Sequence, residues 1–450
     1  MDMDLPSQFK TRMKQVLKAH YDEYIAGLNL PPYKAIRTNT LKTDCKYLEQ
    51  KLAFLGKKTQ FCSDGYYVDE GAGSIGNHPL HHAGAFYVQE PSAMSAVTAL
   101  DPKPGERILD LCAAPGGKTT QIAAAMKNEG LIVANEFIGS RVGALVSNIE
   151  RLGVQNVAVS CARPDMLCNE LQGFFDKVLV DAPCSGEGMI RKDKRILLEW
   201  NTDNIMACAQ RQLKILQSAK LALSEGGLLC YSTCTLAPEE NEGVVSQFLK
   251  ANPEFCLVKI EKQFGVPALP EFADGIEDIK FARRIFPSLG GEGHFVALMK
   301  KSGQVARSNK KIQFPNNDRI KIFNEFYAEC FNSPIPEQIR IIGDKVYFSP
   351  ETVDTKQTHI VRCGLFMGSI IKNRFEPSHA LFAARGIDAR RVLNLQLDDI
   401  RVRKFLHGEE ISCDIDKGYT AVCIDSIPLG FGKVSNGVLK NHYPKGLRTF

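Results

Sequence analysis

The sequence lacks the cysteine patterns and the long apolar runs that mark several common classes of protein. None of its fourteen cysteines forms a Cys-x-x-Cys pair or a Cys/His spacing suited to zinc. The start of the chain, Met1-Asp2-Met3-Asp4, is acidic, and no apolar stretch follows it. We therefore expect free thiols in a reducing cytoplasm, no metal site and no membrane span.

The chain also has little net charge. It contains 56 Lys and Arg residues against 51 Asp and Glu residues, a balance of +5. Contact with a nucleic acid would therefore depend on local clusters of basic residues. The hydrophobic fraction of 44% and the charged fraction of 24% are ordinary for a folded globular protein. Because one core rarely grows beyond about 250–300 residues, the 450 residues predict two or three domains.

The central motif of the sequence is a glycine turn within residues 107–118. An apolar run at 108–111 leads to Gly116 and Gly117, and a helical pattern follows. Such a turn lets a ligand touch the backbone, and the free N–H groups of the first helical turn point into the same space. The next apolar run ends at Glu136, where a doubly wound fold places an acid against ribose hydroxyls. The pattern predicts a site for a nucleotide-like cofactor.

Strand and helix patterns alternate from residue 107 onward, which predicts an α/β fold with a doubly wound, largely parallel sheet. A small α+β module precedes this sheet in residues 1–100. One long helix is expected at 203–223. The last two of the seven expected strands form a hairpin in this prediction. The strands are expected at 108–111, 131–134, 157–160, 178–180, 228–231, 256–260 and 294–299.

The composition changes after residue 300. Residues 301–375 are expected to hold a basic connector and a mixed middle module, and residues 376–450 a β-rich domain. The connector is either a binding element or a solvated linker. Apart from Asp318, its charged residues are basic: Lys300, Lys301, Arg307, Lys310, Lys311, Arg319 and Lys321.

The last 25 residues contain no acid. Four basic residues are interleaved there with aromatic and histidine rings, at Phe431, His442, Tyr443 and Phe450. Phosphates would bind the charge and exposed bases would stack on the rings, so this composition favours RNA binding over a solvated basic tail.

Two cysteines each follow an apolar strand of the predicted sheet. Cys184 lies in the loop Asp181-Ala-Pro-Cys184, and Cys234 follows the run at 228–231. Ligands of doubly wound sheets bind beyond the carboxyl ends of the strands, so both thiols and the glycine turn should open into one crevice. The alternative is two buried thiols that only pack.

A thiol, a carboxylate and a methyl donor together suit methylation at carbon 5 of a pyrimidine. Carbon 5 is a weak nucleophile, but a thiolate that adds at carbon 6 makes the ring enamine-like. A carboxylate at the exocyclic amine of cytosine would stabilise this adduct, and a second group would assist release of the product. These roles suit Cys234, Asp181 and Cys184, although the residues alone do not say which thiol attacks.

Three strings resemble the motifs of the Sun/NSUN family of RNA cytosine-5 methyltransferases. They are Cys112-Ala-Ala-Pro-Gly-Gly-Lys118, Asp181-Ala-Pro-Cys-Ser-Gly-Glu-Gly188 and Tyr231-Ser-Thr-Cys-Thr235. Strings at 37–40, 89–93 and 291–295 also fit, so the resemblance extends from residue 5 to about residue 299. The strings at 374–380 and 437–448 resemble the bacterial RsmF-type branch, which modifies small-subunit ribosomal RNA and ends in a PUA-like domain.

The resemblance implies a seven-stranded Rossmann-like methyltransferase domain at 101–300, an RNA-binding N-terminal module at 1–100 and a PUA-like domain at 376–450. It implies that Cys234 is the nucleophile, that Cys184 assists release, and that Lys118 and Asp181 reach towards the methyl donor and the base. The cofactor would be S-adenosylmethionine, with contacts from Cys112, Ala113, Ala114, Pro115, Gly116, Gly117, Lys118, Glu136, Arg141 and Asp181.

Two departures from the family pattern concern ligand contacts. Many members carry an acid near the adenine, where this sequence has Arg163; Asp165 would be its substitute through a shifted loop. Tyr419 and Phe431 stand where relatives often have tryptophan, a change expected to keep an aromatic surface.

The expected partner is RNA, most specifically 16S ribosomal RNA or the small ribosomal subunit, bound by a cytoplasmic monomer. One alternative is a transfer RNA cytosine-5 methyltransferase. Another is a catalytically idle ribosome assembly factor that binds RNA and merely holds the cofactor.

Overall fold

The computed structural model describes residues 5–69, 71, 73–304, 318–351 and 358–449. The predictions for Arg307, Lys310, Lys311 and Phe450 lie outside these residues. Within the described ranges, no helix is both long enough and apolar enough to cross a membrane. The same ranges contain no group of three or more His, Cys, Asp or Glu side chains arranged to hold a metal ion.

The N-terminal module contains one small antiparallel sheet and surrounding helices. Its elements are α1 (Ser7–Leu17), α2 (Tyr21–Leu28), β1 (Ala35–Thr38), α3 (Cys45–Lys51), β2 (Leu55–Lys58), β3 (Gly65–Val68), α4 (Pro79–His82), β4 (Phe86–Val88) and α5 (Ser95–Leu100). The strand order is β2-β3-β1-β4. Asp44 caps α3, since its carboxylate accepts a hydrogen bond from the Tyr47 backbone N–H at 2.8 Å.

The methyltransferase-like region follows with alternating strands and helices. Its elements are β5 (Arg107–Asp110), α6 (Gly117–Ala125), β6 (Leu131–Asn135), α7 (Gly139–Arg151), β7 (Val157–Ser160), α8 (Pro164–Glu170), β8 (Phe175–Asp181), α9 (Arg195–Glu199), α10 (Thr202–Ala222), β9 (Leu223–Thr233), α11 (Glu242–Ala251), β10 (Phe255–Leu257), β11 (Val266–Pro267), β12 (Arg283–Ile285) and β13 (His294–Lys301). Strands β5 to β9 are parallel in the order β9-β8-β5-β6-β7. Helices cover both faces, so these strands are apolar along most of their length.

The described residues from 318 onward form two further sheets and add one strand, β16, to the central sheet. Their elements are α12 (Ile320–Cys330), β14 (Ile339–Ile342), β15 (Lys345–Phe348), β16 (Ile360–Cys363), β17 (Leu365–Ile371), β18 (Arg374–Pro377), α13 (His379–Arg385), β19 (Val392–Leu395), α14 (Ile400–His407), β20 (Ile411–Ser412), β21 (Gly418–Ile424), β22 (Ile427–Ser435) and β23 (Val438–Asn441). The middle sheet has the order β14-β15-β17-β18 and the C-terminal sheet the order β19-β21-β22-β23-β20.

The central sheet has ten strands rather than the predicted seven. All seven predicted strands are present, and β11, β12 and β16 are added to them. The added strands are two to four residues long; β11 and β16 lie at the edges and β12 lies next to one edge, and charged residues such as Arg283 and Arg284 hide the apolar pattern of a strand. Strand β16 pairs with β7, so the predicted middle module contributes to the central sheet. Lys300 and Lys301, predicted in the connector, belong to β13.

The pairing of β13 is more extensive than the predicted hairpin. Strand β13 pairs with β10 as predicted, but it also lies between β12 and β9 and is antiparallel to both. Its N-terminal residue, His294, is therefore brought to the carboxyl end of β9.

The predicted aromatic surface of the C-terminal domain is only partly present. Phe431 is 3% exposed and Tyr443 2% exposed, because both pack in the core. Phe431 stacks on Phe382 of α13, with ring centroids 4.5 Å apart. His442 and Lys433 remain exposed, and Lys433 lies over the half-buried ring of Tyr419 with its Nζ 5.0 Å from the centroid. The prediction that Phe431 adds to an aromatic surface is wrong.

Lys42 joins three parts of the molecule. Its ammonium donates hydrogen bonds to the carbonyl oxygens of Ala83 (2.8 Å), Arg151 (3.0 Å) and Pro428 (3.3 Å), which belong to the N-terminal module, α7 and the C-terminal sheet. Apolar residues of the N-terminal module and the C-terminal domain share one core around this point. The C-terminal domain is thus fixed against the N-terminal module.

Candidate active site

The site lies at the carboxyl ends of three neighbouring strands, β5, β8 and β9. Adjacent strands are about 4.8 Å apart, so the loops that follow them meet. The loop after β5 is the glycine turn, with Gly116 at φ +105°, a backbone conformation that favours glycine. Helix α6 begins at Gly117, and its free N–H groups face the crevice at the sheet edge.

The N-terminal module supports the start of α6. Arg37, which is 2% exposed, donates hydrogen bonds to the Gly117 carbonyl oxygen at 2.8 Å and to Thr120 Oγ1 at 2.9 Å. A Cβ at Gly117 would lie 3.0 Å from the ring of Tyr87, so glycine lets the module pack closely there. Two residues of the N-terminal module, Arg37 and Tyr87, therefore contact the start of α6.

The two candidate cysteines are in contact. Cys184 Sγ lies 3.2 Å from Cys234 Sγ. The hydrogen bond with Cys234 and burial raise the pKa of the Cys184 thiol well above its usual range. Cys184 therefore stays protonated at neutral pH. Either thiol can be the donor in this contact.

Lys118 and Asp181 form an ion pair in the same crevice. Lys118 Nζ lies 2.7 Å from Asp181 Oδ2, and Ser232 Oγ donates to Asp181 Oδ1 at 2.8 Å. Burial, the largest single influence, tends to raise the pKa of Asp181, but the charge of Lys118, the nearby His294 and the hydrogen bonds from Lys118 and Ser232 together lower it. Burial opposes the charge of Lys118 as well, yet Asp181 raises the pKa of that ammonium. Both groups are thus charged at neutral pH.

The predicted cofactor residues lie around the glycine turn and the end of β6. Arg141 Nη2 donates to the Ala114 carbonyl oxygen at 2.7 Å, and its Nη1 lies 3.5 Å from Glu136 Oε2. The other carboxylate oxygen of Glu136 accepts from the Ile138 N–H at 2.8 Å. Burial raises the pKa of Cys112, so this thiol stays protonated. The remaining turn residues, Ala113 and Pro115, complete the backbone between β5 and Gly116.

Arg163 and Asp165 do not join this cluster. Both lie at the start of α8, after the carboxyl end of β7, with side chains 62% and 49% exposed. Arg163 Nη2 bonds Asp165 Oδ2 at 2.8 Å, so the two residues satisfy each other. The sequence predicts one or the other as a contact of the adenine, Asp165 in place of Arg163.

A buried polar network beneath the two cysteines was not identified from the sequence. Glu240 accepts hydrogen bonds from the Ser185 N–H at 3.0 Å and from Gln212 Nε2 at 2.7 Å. Ser185 Oγ in turn lies 2.8 Å from Thr235 Oγ1. The network ties the loop of Cys184 to the loop of Cys234 and so fixes the distance between the thiols.

Glu187 extends this network. It accepts from Trp200 Nε1 at 2.8 Å and from Thr235 Oγ1 at 3.3 Å, and burial raises its pKa to about 7. Burial raises the pKa of Glu240 as well. No pattern in the sequence indicates that Glu187 and Glu240 are buried together, because their hydrogen-bond partners come from three separate segments of the chain.

His294 also belongs to the site and was missed as a site residue. Its Nε2 lies 4.0 Å from Asp181 Oδ1, and its side chain is 2% exposed. Burial, followed by the charge of Lys118, lowers its pKa to about 4, so the ring is neutral at pH 7. The only signal for it in the sequence was its place in the family-like string at 291–295.

The sequence matches four family descriptions that together span most of the chain. Residues 5–91 match the N-terminal domain of 16S rRNA methyltransferase RsmF, and residues 97–300 match 16S rRNA methyltransferase RsmB/F. Residues 325–384 match the first C-terminal domain of RsmF, and residues 392–449 match the methyltransferase RsmF PUA domain.

Full-length relatives and solved structures agree with these matches. Ribosomal RNA small subunit methyltransferase F of Shewanella oneidensis is 32% identical over 99% of this chain and 97% of its own length. The Vibrio campbellii protein of the same name is 32% identical over 98% and 97%. A methyltransferase homolog protein from Pyrococcus horikoshii is 33% identical with a TM-score of 0.59, over 66% of this chain and 96% of that one.

A second archaeal structure supports the fold alone. NSun6 from Pyrococcus horikoshii, solved with SFG, is 24% identical with a TM-score of 0.58, over 66% of this chain and 99% of that one. The N-terminal module, the central sheet and the C-terminal PUA domain each match the corresponding domain of one protein family. The chain belongs to the RsmF family of 16S ribosomal RNA methyltransferases.

Proposed function

We propose that the protein uses S-adenosylmethionine to methylate carbon 5 of a cytosine in 16S ribosomal RNA, through a covalent adduct with Cys234. The observation that carries the proposal is the contact between two thiols, 3.2 Å apart, in the crevice that also holds the Lys118–Asp181 ion pair. Packing alone gives no reason to gather these four groups at one sheet edge.

The turn and the end of β6 fit a nucleoside cofactor. Gly116 leaves a backbone concavity, α6 presents free N–H groups, and the Glu136 carboxylate at the end of β6 is placed to accept from ribose hydroxyls. Buried Asp110, whose Oδ1 has no hydrogen-bond partner among the described residues, lies at the end of β5 next to this turn. When bound, S-adenosylmethionine would supply a methyl group activated by a sulfonium.

Cys234 is the better candidate for the nucleophile. Cys184 holds its proton, and an S–H that donates to Cys234 stabilises negative charge on the Cys234 sulfur. The Cys234 thiolate adds to carbon 6 of the cytosine, and the electron pair of the ring double bond becomes available at carbon 5. Carbon 5 is then nucleophilic enough to accept a methyl group.

Asp181 and Lys118 suit the binding of the base. The Asp181 carboxylate, kept charged by Lys118, accepts a hydrogen bond from the exocyclic amine of cytosine as the adduct becomes electron-rich. Ser232 and Lys118 orient this carboxylate and prevent its rotation.

Release of the product requires loss of the carbon 5 proton and expulsion of the Cys234 sulfur. A base takes the carbon 5 proton, the electron pair of the broken C–H bond re-forms the ring double bond, and the Cys234 thiolate leaves with its charge stabilised by the S–H of Cys184. Cys184, in contact with Cys234, is the side chain placed to assist this step. Its role is separable from that of Cys234.

The test compares Cys234→Ala with Cys184→Ala, and uses Cys256→Ala, an exposed thiol on β10, as the matched control. Each variant is incubated with S-adenosylmethionine and 16S ribosomal RNA from a strain that lacks the enzyme. We expect no methylation by the first variant, and a stable protein–RNA adduct, visible as a shifted gel band, with the second. The control should behave as the parent protein does. An adduct with Cys234→Ala and none with Cys184→Ala would exchange the two roles.

The position of methylation is tested separately. Bisulfite sequencing of the methylated RNA should show protection of a cytosine in 16S ribosomal RNA. Protection of transfer RNA alone would redirect the proposal to that substrate. A methyl group found at another atom of the base would remove the carbon 5 mechanism.

A further inference from the structure

A groove of about 1180 Å³ lies where the N-terminal module meets the loop between β12 and β13. This volume exceeds the ~300–1,000 Å³ usual for small-molecule pockets. Two half-buried tyrosines, Tyr33 and Tyr67, and three exposed lysines, Lys34, Lys57 and Lys58, line the groove. No carboxylate is among the described residues that form its wall.

We propose that this groove binds the single-stranded RNA adjacent to the nucleotide that enters the active site. The proposal rests on the function proposed above and specifies where the flanking RNA lies. It assigns to the N-terminal module a direct part in holding the substrate.

The side chains of the groove provide the two contacts that single-stranded RNA needs. Aromatic rings stack on bases without regard to sequence, and lysines bind the phosphates between them. The rings of Tyr33 and Tyr67 have centroids 5.8 Å apart, and Lys57 Nζ lies 5.8 Å from the Tyr67 centroid. Rings and positive charge are therefore adjacent.

One wall of the groove is joined to the active site along the chain. Tyr67 OH donates to the Gly290 carbonyl oxygen at 2.6 Å, and the Tyr33 N–H donates to Glu292 Oε1 at 2.6 Å. His294, which lies beside Asp181, is four residues beyond Gly290. Four residues span at most about 14 Å, so the groove reaches the neighbourhood of the reacting base.

The same wall is attached to the loop that follows Cys184. Arg191, two residues after Met189, bonds Glu292 Oε2 at 2.7 Å, and this ion pair is almost completely buried. The Arg191 guanidinium also lies over the ring of Tyr33, 4.8 Å from its centroid. The groove is thus held by elements on both sides of the catalytic crevice and is preorganised for a ligand that enters both.

An acidic peptide segment of a ribosomal protein would share part of this chemistry. The paired tyrosine rings and the continuity with the crevice favour RNA, because the substrate strand must pass the active site. The peptide is therefore an outcome of the test.

The experiment measures binding of a short mixed-sequence single-stranded RNA to the full-length protein by fluorescence anisotropy at several salt concentrations. The variants are Tyr67→Leu, which removes the ring, and Tyr67→Phe, which keeps the ring but loses the bond to Gly290. Lys57→Gln removes one groove charge. Lys46→Gln, an exposed lysine of α3 outside the groove, is its matched control.

We expect Tyr67→Leu to weaken binding about tenfold, the effect of losing one base–aromatic stack, and Tyr67→Phe to bind as the parent protein does. Lys57→Gln should reduce the slope of log K against log salt concentration by about 0.7, the value for one phosphate contact on a single strand. Lys46→Gln should leave the slope unchanged.

Three results would overturn the proposal. One is parental RNA affinity and parental salt slope in both Tyr67→Leu and Lys57→Gln. Another is an equal loss in Tyr67→Leu and Tyr67→Phe, which would assign the effect to support of the Gly290 loop. The third is that Tyr67→Leu and Lys57→Gln lose binding to a glutamate-rich peptide in the same anisotropy assay while their RNA binding stays intact. If these variants act as expected but carbon 5 is never methylated, the proposed function fails and the groove stands.

Discussion

At the scale of single residues, the site depends on charges that maintain one another. The half-buried Asp181 carboxylate stays ionised chiefly because the Lys118 ammonium is 2.7 Å away, and Asp181 in turn raises the pKa of Lys118. The two thiols lie in contact, and the bond with Cys234 together with burial raises the pKa of Cys184, so Cys184 keeps its proton; Cys234 is the nucleophile of the proposed mechanism.

Asp181→Asn tests the importance of this carboxylate. The amide keeps the size of the side chain but removes the charge that supports Lys118 and accepts from the base. We predict a loss of about 10²–10³-fold in kcat, the range observed when one stabilising group of a preorganised site is removed. Single-turnover methylation measures it. Ser232→Ala, which removes only one bond to Asp181, should cost less; an Asp181→Asn enzyme with parental kcat would contradict the assigned role.

Most of the site could be predicted from the sequence because the glycine turn, Asp181, Cys184 and Cys234 each directly follow an apolar strand. His294 could not be assigned, since its place depends on β13 inserting antiparallel beside β9. The network of Glu187 and Glu240 was equally hidden, because their burial arises from the meeting of distant segments. For Arg163 and Asp165, the spacing along the chain predicted that both follow β7, but it did not predict the hydrogen bond between their side chains.

At the scale of secondary-structure elements, two loops approach closely at Gly188 and Gly293. The Gly188 N–H donates to the Cys234 carbonyl oxygen at 2.9 Å. A Cβ on Gly188 would lie 2.6 Å from the Gly293 oxygen and 2.8 Å from the Cys234 oxygen, closer than real contacts allow. The absence of a side chain at residue 188 therefore sets the position of Cys234.

Gly188→Ala should displace the Cys234 loop without unfolding the protein. We predict at least a tenfold loss of methylation rate with cofactor affinity unchanged, because a shift of the nucleophile of about 1 Å can cost up to 10²-fold. Gly76→Ala, at a position with open space, is the control. Equal rates for the two variants would show that the close approach is not needed.

The elements that the sequence predicted correctly are those whose burial follows one regular pattern, continuous along a strand or confined to one face of a helix. Strands β5 to β9 and helix α10 carry long apolar patterns, so their existence follows from the sequence. The short strands β11, β12 and β16 do not, because partners supplied by the rest of the fold stabilise them. Arg284 of β12 is an example: it is buried against Glu242, which no pattern along the chain reveals. Phe431 was assigned to a surface because aromatics of a core and of a binding face look alike in sequence.

At the scale of the whole molecule, the buried His294 and the half-buried His379 make stability depend on pH. Burial lowers the pKa of His294 to about 4 and that of His379 to about 3, against about 6.5 in an unfolded chain. Between these values the unfolded chain binds protons that the folded protein does not. The histidine contribution is therefore complete above pH 6.5 and is lost as the pH falls.

His379→Phe isolates one such contribution. Between pH 6 and pH 4.5 we predict that the free energy of unfolding of the parent protein falls by about 1.4 kcal/mol per pH unit more than that of the variant. Urea unfolding followed by circular dichroism measures the difference. Burial raises the pKa values of Asp110 and Glu187, which act in the opposite direction, but they cancel in the comparison. Parallel pH profiles would mean that His379 titrates normally.

The pairing of β16 with β7 has a consequence for synthesis on the ribosome. Strand β7 ends at Ser160, while its neighbour β16 runs from Ile360 to Cys363. At the usual 5–20 residues per second, about 10–40 s of translation separate the two strands. During that interval the nascent protein carries an unpaired edge, the kind of surface that invites aggregation, and chaperone protection should matter most then.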